Sequence, residues 1–197
     1  MTIAIATPTP QSTKKMTFEE FLAFDDGTEN NFYELENGEL ILRPYESEIN
    51  RRITSFLFVY FLQLGIPSYR LSTKTEVAVY SQRVGVRAPD LVVLSEELAT
   101  VMEGAKRSLV LLDMPPPLLV VEVVSPNQEN RDYRYKRSEY AARGIAEYWV
   151  VDPIAQKLTI LQWVEGFYDE LVFEGDRAIV SPVLGSLELT AIKVLQG

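Results

Sequence analysis

The chain has 197 residues, 47% hydrophobic and 24% charged, with a formal net charge of −9 and neither histidine nor cysteine. Its length suits one globular domain with its own core, while the missing residue types exclude disulfides, thiolate or imidazole metal sites, Ser-His-Asp triads and Cys-His pairs. Catalysis is left to carboxylates, lysine, tyrosine, hydroxyls or a hard cation held by oxygens, and any nucleic acid must find a local basic patch, because the overall field repels phosphate.

The first segment, "MTIAIATPTPQSTKK", places its lysines after a mildly apolar stretch. That order is wrong for a signal peptide, so residues 1–15 are expected to be a disordered tail and residues 16–197 the folded domain. No apolar run reaches 18 residues, so no membrane span is expected. With no cysteine to oxidise, a reducing cytoplasm is the expected location.

Thr17 followed three residues later by Glu20 predicts a capping box and a short helix. Asn37-Gly38, between "FYELE" and "ELILR", predicts a hairpin, because both turn positions need positive φ. Ile49, Ile53, Phe56, Leu57, Tyr60, Phe61 and Leu64 recur at helical spacing and predict one broad apolar face, ended by Gly65 and Pro67. Strands are expected in "TEVAVY", "APDLVVLS", "PLLVVEVV" and "AEYWVVD", the last stopped by Asp152-Pro153. A helix is expected in "RDYRYKRSEYAARG", closed by Gly144, and a further hairpin in "KLTILQWV" with "GFYDELVF". The end, "SLELTAIKVLQ", begins as a strand and is ambiguous after that. The fold class is α/β: a mixed central sheet flanked by helices, the early helix on one face and the later helix beside it.

Glu122 interrupts "PLLVVEVVSP", a run that reads as a buried strand. An ionised carboxylate there costs several kcal/mol unless a cation or hydrogen bonds compensate it. Asp90 has a similar setting in "RAPDLVVLS". Alternation puts Asp90, Val92 and Leu94 on one face of their strand and Leu118, Val120, Glu122 and Val124 on one face of theirs. If the two strands are neighbours, the carboxylates converge, and a divalent cation that accepts oxygen ligands, Mg²⁺ or Mn²⁺, resolves their repulsion. Asp132, Lys136 and Tyr140 are spaced by four and share one face of the following helix, from which Lys136 can reach back toward a metal-bound water.

Each residue also has a plainer reading. Asp90 suits a turn satisfied by backbone N–H groups. Glu122 would be neutralised by a structural arginine such as Arg87 or Arg143. Arg131, Arg134, Lys136, Arg137 and Arg143 form either a solvated face or a phosphate-contacting patch. Tyr148 and Trp149 read as core rather than as a base-stacking pair.

Taken together, "PD" at 89–90, "VEVVSP", "DYRYKRSEY" and "GIAEYWVVDP" resemble the PD-(D/E)xK nuclease superfamily. More closely they are similar to its Uma-two family, a domain of unknown function frequent in cyanobacteria, and "YELENGEL" fits the opening motif of that branch. The resemblance covers roughly residues 17–190. It implies a restriction endonuclease-like core with Asp90, Glu122 and the carbonyl of Val123 as metal ligands. Lys136 would be the catalytic lysine, and Glu34 an acidic residue near the metal, where the bland alternative is ordinary hairpin surface. Two features depart from the pattern. The superfamily usually carries its lysine two residues after the acid, where Val124 stands here, and Asn50 stands where the branch often has histidine.

The resemblance implies a metal-dependent endonuclease that hydrolyses phosphodiester bonds in DNA, with RNA as a further possible substrate. The alternative is a catalytically impaired module of the same fold that binds nucleic acid or a protein partner. A homodimer would be needed for a double-strand break, although the sequence shows no dedicated interface.

Overall fold

The computed structural model describes residues 15–28, 32–43, 45–126 and 128–197. The expected tail lies outside the described residues except for Lys15. In chain order the elements are α1 (Phe18–Leu22), β1 (Tyr33–Glu36), β2 (Glu39–Leu42), α2 (Glu48–Gln63), a short 3₁₀ turn (Ser68–Arg70), β3 (Leu71–Ser72), β4 (Glu76–Tyr80), β5 (Val84–Arg87) and β6 (Leu91–Val93). There follow α3 (Glu96–Val101), β7 (Leu109–Val110), β8 (Leu119–Val123), a π-helical turn (Arg131–Lys136), α4 (Arg137–Arg143) and β9 (Glu147–Asp152). The chain finishes with β10 (Lys157–Val164), β11 (Phe167–Glu174), β12 (Ala178–Ser181), β13 (Gly185–Thr190) and α5 (Ala191–Gln196).

The local signals act as expected at most ends. Thr17 Oγ1 accepts from the Glu20 N–H and the Glu20 carboxylate accepts from the Thr17 N–H, closing the capping box. Asn37 and Gly38 have φ of 50° and 84° in the β1–β2 turn, and Gly144 ends α4 at φ 75°. The ambiguous end divides into β13 and α5, with Thr190 as the N-cap between them.

The α/β class holds, with mixed sheets flanked by helices, and two details of the architecture differ from expectation. The strands form not one sheet but two larger ones and a small one. The first has the order β2-β1-β5-β4-β7, the second β11-β10-β9-β8-β6-β3, and β12 pairs with β13. The division falls at Ala88-Pro89, between β5 and β6, where proline has no N–H to continue a ladder. Strands β5, β3, β7 and β12 and helix α3 were not anticipated, because each is short and carries little periodicity. In β5 the glycine is functional packing: a Cβ at Gly85 would stand 2.6 Å from the Leu35 carbonyl oxygen of β1.

The second correction concerns the helices. Ile53, Leu57 and Phe61 of α2 pack with Leu119, Val121 and Val123. Tyr140 and Ala141 of α4 pack with Val120, Val124, Tyr148 and Val150. The helices therefore cover opposite faces of the second sheet rather than lying side by side. The cause is the parallel β8–β9 pair, whose crossover carries α4 over one face while α2 fills the other. A strand covered on both sides must be apolar at every position, and "LVVEV" is so except at Glu122. The buried stripe of α2 is also narrower than predicted. Ile49 and Leu64 are exposed, and Asn50 and Thr54 are buried in their place.

Candidate active site

The β6–β8 register brings the two carboxylates together. The pairs Leu91↔Val121, Val92↔Val120 and Val93↔Leu119 run antiparallel. One step further, the Asp90 N–H donates to the Val121 carbonyl at 3.1 Å. The Val123 N–H returns a bond to Asp90 Oδ2 at 2.7 Å. The expected backbone satisfaction of Asp90 is thus present, but only on one oxygen. Its other oxygen accepts from Arg43 Nη2 at 2.9 Å, just beyond β2.

Glu122 is buried, and its partners are neither Arg87 nor Arg143. Lys136 Nζ lies 2.7 Å from Glu122 Oε2, 3.0 Å from Asp132 Oδ1 and 3.9 Å from Glu34 Oε1. Tyr140 donates its hydroxyl to Glu122 Oε1 at 2.7 Å. The spacing of four thus delivers Asp132, Lys136 and Tyr140 to one place, as predicted from sequence. The segment differs in its winding, which is π-helical from Arg131 to Lys136. The Asp132 carbonyl there accepts from the buried Tyr148 hydroxyl at 3.1 Å, an insertion of the kind that widens a helical turn.

Glu34 is buried too, so it is not hairpin surface. It accepts from Arg87 Nη1 at 3.0 Å, Arg131 Nη2 at 2.7 Å and the Ala88 N–H at 3.2 Å. Arg87, which has no exposed surface, makes a two-pronged pair with Glu139 of α4 at 2.7 and 2.8 Å and also donates to Glu36 at 2.8 Å. Arginine's planar fork suits this three-way contact. Sequence reasoning weighed Arg87 only as a partner for Glu122 and missed Arg43, Glu36 and Glu139. The available signal was an arginine closing each of two apolar strand runs, "LILR" and "VGVR". Arg143, by contrast, donates to the Leu111 and Met114 carbonyls.

Asn50 occupies its position without histidine. Buried on α2, it donates from Nδ2 to the Val123 carbonyl at 3.1 Å and to Ser125 Oγ at 2.9 Å. A carbonyl has two lone pairs, so this bond leaves one on Val123. The basic cluster does not survive as a phosphate patch. Arg131 and Lys136 turn inward onto carboxylates, Arg137 pairs with Glu170, and Arg143 caps carbonyls. Tyr148 and Trp149 are fully buried, as the core reading had it.

Glu34, Asp90, Glu122, Asp132 and Lys136 all line one cavity of about 840 Å³. The ion pairs around it join six carboxylates (Glu34, Glu36, Asp90, Glu122, Asp132 and Glu139) to four cations (Arg43, Arg87, Arg131 and Lys136). Two negative charges are left in excess, and the titration of the group reflects it. Burial, then the neighbouring Glu122 charge, pushes the Asp90 carboxyl up to about 6, against Arg43 and the Val123 N–H. Burial likewise raises Glu122, which Asp132 and Glu34 raise further and Lys136 opposes. Glu34 goes the other way. Burial opposes its charge, but Lys136, Arg87 and Arg131 together bring it down to about 2. Lys136 is held above the ordinary lysine range: burial works against the ammonium, and the three carboxylates around it outweigh burial.

A divalent cation matches this set in charge and in donor type, since Asp90 and Glu122 offer hard oxygens. Among the described residues no three His, Cys, Asp or Glu side chains stand together at metal-ligand spacing. The ammonium of Lys136 lies among the carboxylates and draws Glu122 and Asp132 toward itself.

A family model, Uma2, described as "Putative restriction endonuclease", matches residues 18–192. The chain belongs to the Uma2 family. A crystal structure from Anabaena variabilis, described as "a putative nuclease belonging to DUF820", superposes with a TM-score of 0.72 over 92% of this Uma2 chain and 98% of that one, at 18% identity. That likeness establishes the shared fold. No curated protein matches the chain. Among the described residues, no helix is long and apolar enough to cross a membrane.

The raised Asp90 carboxyl has a consequence for stability in this Uma2 chain. When unfolded, Asp90 titrates near 3.8, so between about pH 4 and pH 6 the folded chain holds a proton that the unfolded chain has lost. Stability therefore falls as pH rises through that window. Asp90→Asn removes the loss. In urea unfolding with EDTA present, the variant is expected to exceed wild type by roughly 3 kcal/mol at pH 7, with the difference closing toward pH 4. A difference that does not change with pH would contradict the titration of Asp90.

Proposed function

We propose that this Uma2 chain is a metal-dependent endonuclease that hydrolyses phosphodiester bonds, with DNA as its substrate. The observation that carries the reading is the meeting of Asp90, Glu122 and Lys136 in one buried cluster, inside a wider network in which six carboxylates face four cations. Asp90 and Glu122, with the free lone pair of the Val123 carbonyl, would hold Mg²⁺ or Mn²⁺. Such a cation, when bound, acidifies a water and polarises the scissile phosphate, so that no histidine base is required.

The remaining work falls to side chains of this chain. The carboxylates around Lys136 hold it above the ordinary lysine range, which suits it to act as a cation and donor. It orients the attacking water or neutralises charge developing on the phosphoryl oxygens. Asp132 and Glu34 hold its ammonium in reach of that centre. Tyr140 fixes Glu122 through Oε1, while Oε2 pairs with Lys136 at 2.7 Å. The lysine thus acts from the helix after the strand and makes up for Val124 at the usual position.

The test is calorimetric titration of Mn²⁺ into the purified protein at pH 7.5. Wild type is expected to bind at a single class of site, and Asp90→Asn is expected to lose that binding while remaining folded. Equal binding by both proteins, or none by wild type, would remove the metal centre from the proposal.

A further inference from the structure

The cavity over the carboxylates has a second wall that the proposed chemistry does not use. Phe24, Phe32, Tyr33, Leu42 and Tyr45 line it. Phe24 and Tyr33 meet edge to face at 5.3 Å, and the Tyr33 hydroxyl donates to Asp26 Oδ2 at 2.9 Å, so part of this wall is fixed in place. The outer rings are bare. Tyr45 is 93% exposed and Phe32 53% exposed, although both border a cavity whose floor, at Glu122, is buried.

Two further features say what such a wall can take. Five of the six cations that line the cavity are already engaged, Arg43 with Asp90, Arg51 with Glu48, Arg107 with Glu76, Arg131 with Glu34 and Lys136 with Glu122, which leaves the exposed Lys74. In a chain of net charge −9, phosphate neutralisation alone is a weak source of affinity. Ring stacking does not depend on charge, and every nucleobase has a face to offer. A continuous duplex keeps those faces covered by its own stacking, while a single strand presents them.

We propose that this aromatic wall is a stacking site for unpaired bases, and that the site takes single-stranded nucleic acid or unpaired stretches in preference to continuous duplex. The proposal rests on the phosphodiesterase reading for its chemistry, but its recognition step stands separately. Phe32 and Tyr45 receive successive bases, and the strand's backbone passes over Asp90 and Glu122.

The experiment compares a labelled single-stranded oligonucleotide with the same sequence as a duplex, for binding by fluorescence anisotropy and for cleavage in Mn²⁺. It uses wild type, the Phe32→Ala/Tyr45→Ala double variant and Glu122→Gln. Wild type is expected to bind and cut the single strand about ten-fold or more better than the duplex, and the double variant to lose about that factor in single-strand binding. Its thermal midpoint should not move, because both rings are exposed. Glu122→Gln is expected to keep the binding preference and lose cleavage. Equal affinity for the two substrates, or unchanged binding without the rings, would overturn the stacking site. If wild type cuts nothing but the ring-dependent preference for single strands persists, the stacking site stands and the nuclease reading falls. Matched DNA and RNA strands tell which sugar the site accepts, and ring-dependent binding of either upholds the proposal.

Discussion

Glu122→Gln is expected to reduce strand cleavage by roughly a thousand-fold or more. The amide keeps the shape of the side chain but removes one of the two carboxylates that would hold the cation. It also removes the negative charge 2.7 Å from the Lys136 ammonium. The fold should survive the change. Burial already makes the Glu122 charge costly, and Lys136 retains Asp132 at 3.0 Å. A thermal melt run beside the cleavage assay separates the two effects. Loss of cleavage with a midpoint no lower than that of wild type is the expected result, and full cleavage by the variant would dismiss Glu122 from the chemistry.

Arg87→Met is expected to be the most destabilising single change at the site, by about 3–5 kcal/mol in urea unfolding. Arg87 is fully buried and ties β1, through Glu34 and Glu36, to α4 through Glu139. Methionine fills most of its volume, so the loss would come from three carboxylates left short of a cation rather than from a cavity. Arg131 still reaches Glu34 and Glu36, but Glu139 is left with no ion pair among the described residues. Replacing Glu139 by glutamine in the same chain should recover part of the loss, since the orphaned charge is then gone. A cost below 1 kcal/mol would mean that the pair is worth no more than one at the surface.

Much of the fold and part of the site can be read from the residues, and the division has a physical basis. Elements with a strong local signal stand where the sequence puts them: the Thr17–Glu20 box, the Asn37-Gly38 turn, and the apolar strands around Glu122 and Trp149. The register between β6 and β8 could be anticipated only conditionally, because alternation tells which face Asp90 and Glu122 occupy but not that their strands are neighbours. The grouping of Asp132, Lys136 and Tyr140 followed from helical spacing and holds although the first turn is π-helical, since residues four apart remain on one side. What was hidden depends on distant contacts. Nothing local shows which cations meet the Glu34 hairpin, so a place near the metal and ordinary hairpin surface both stay open for Glu34 until Arg87 and Arg131 are seen on it. The two-sheet division and the opposite placement of α2 and α4 likewise depend on long-range pairing. The basic helix kept two readings for the same reason, and the partners decide residue by residue: Arg131, Lys136 and Arg137 find carboxylates, Arg143 finds carbonyls, and Arg134 stays exposed.

The central claim is that the Asp90, Glu122 and Lys136 cluster is a metal-dependent phosphodiesterase centre. The most direct measurement is nicking of supercoiled plasmid, whose strain exposes unpaired stretches, by the purified chain in Mg²⁺, in Mn²⁺ and in EDTA, with Glu122→Gln purified in parallel. The account predicts conversion to open circle with either metal, none in EDTA and none by the variant. No conversion by wild type under any condition, or equal conversion by wild type and Glu122→Gln, would contradict it.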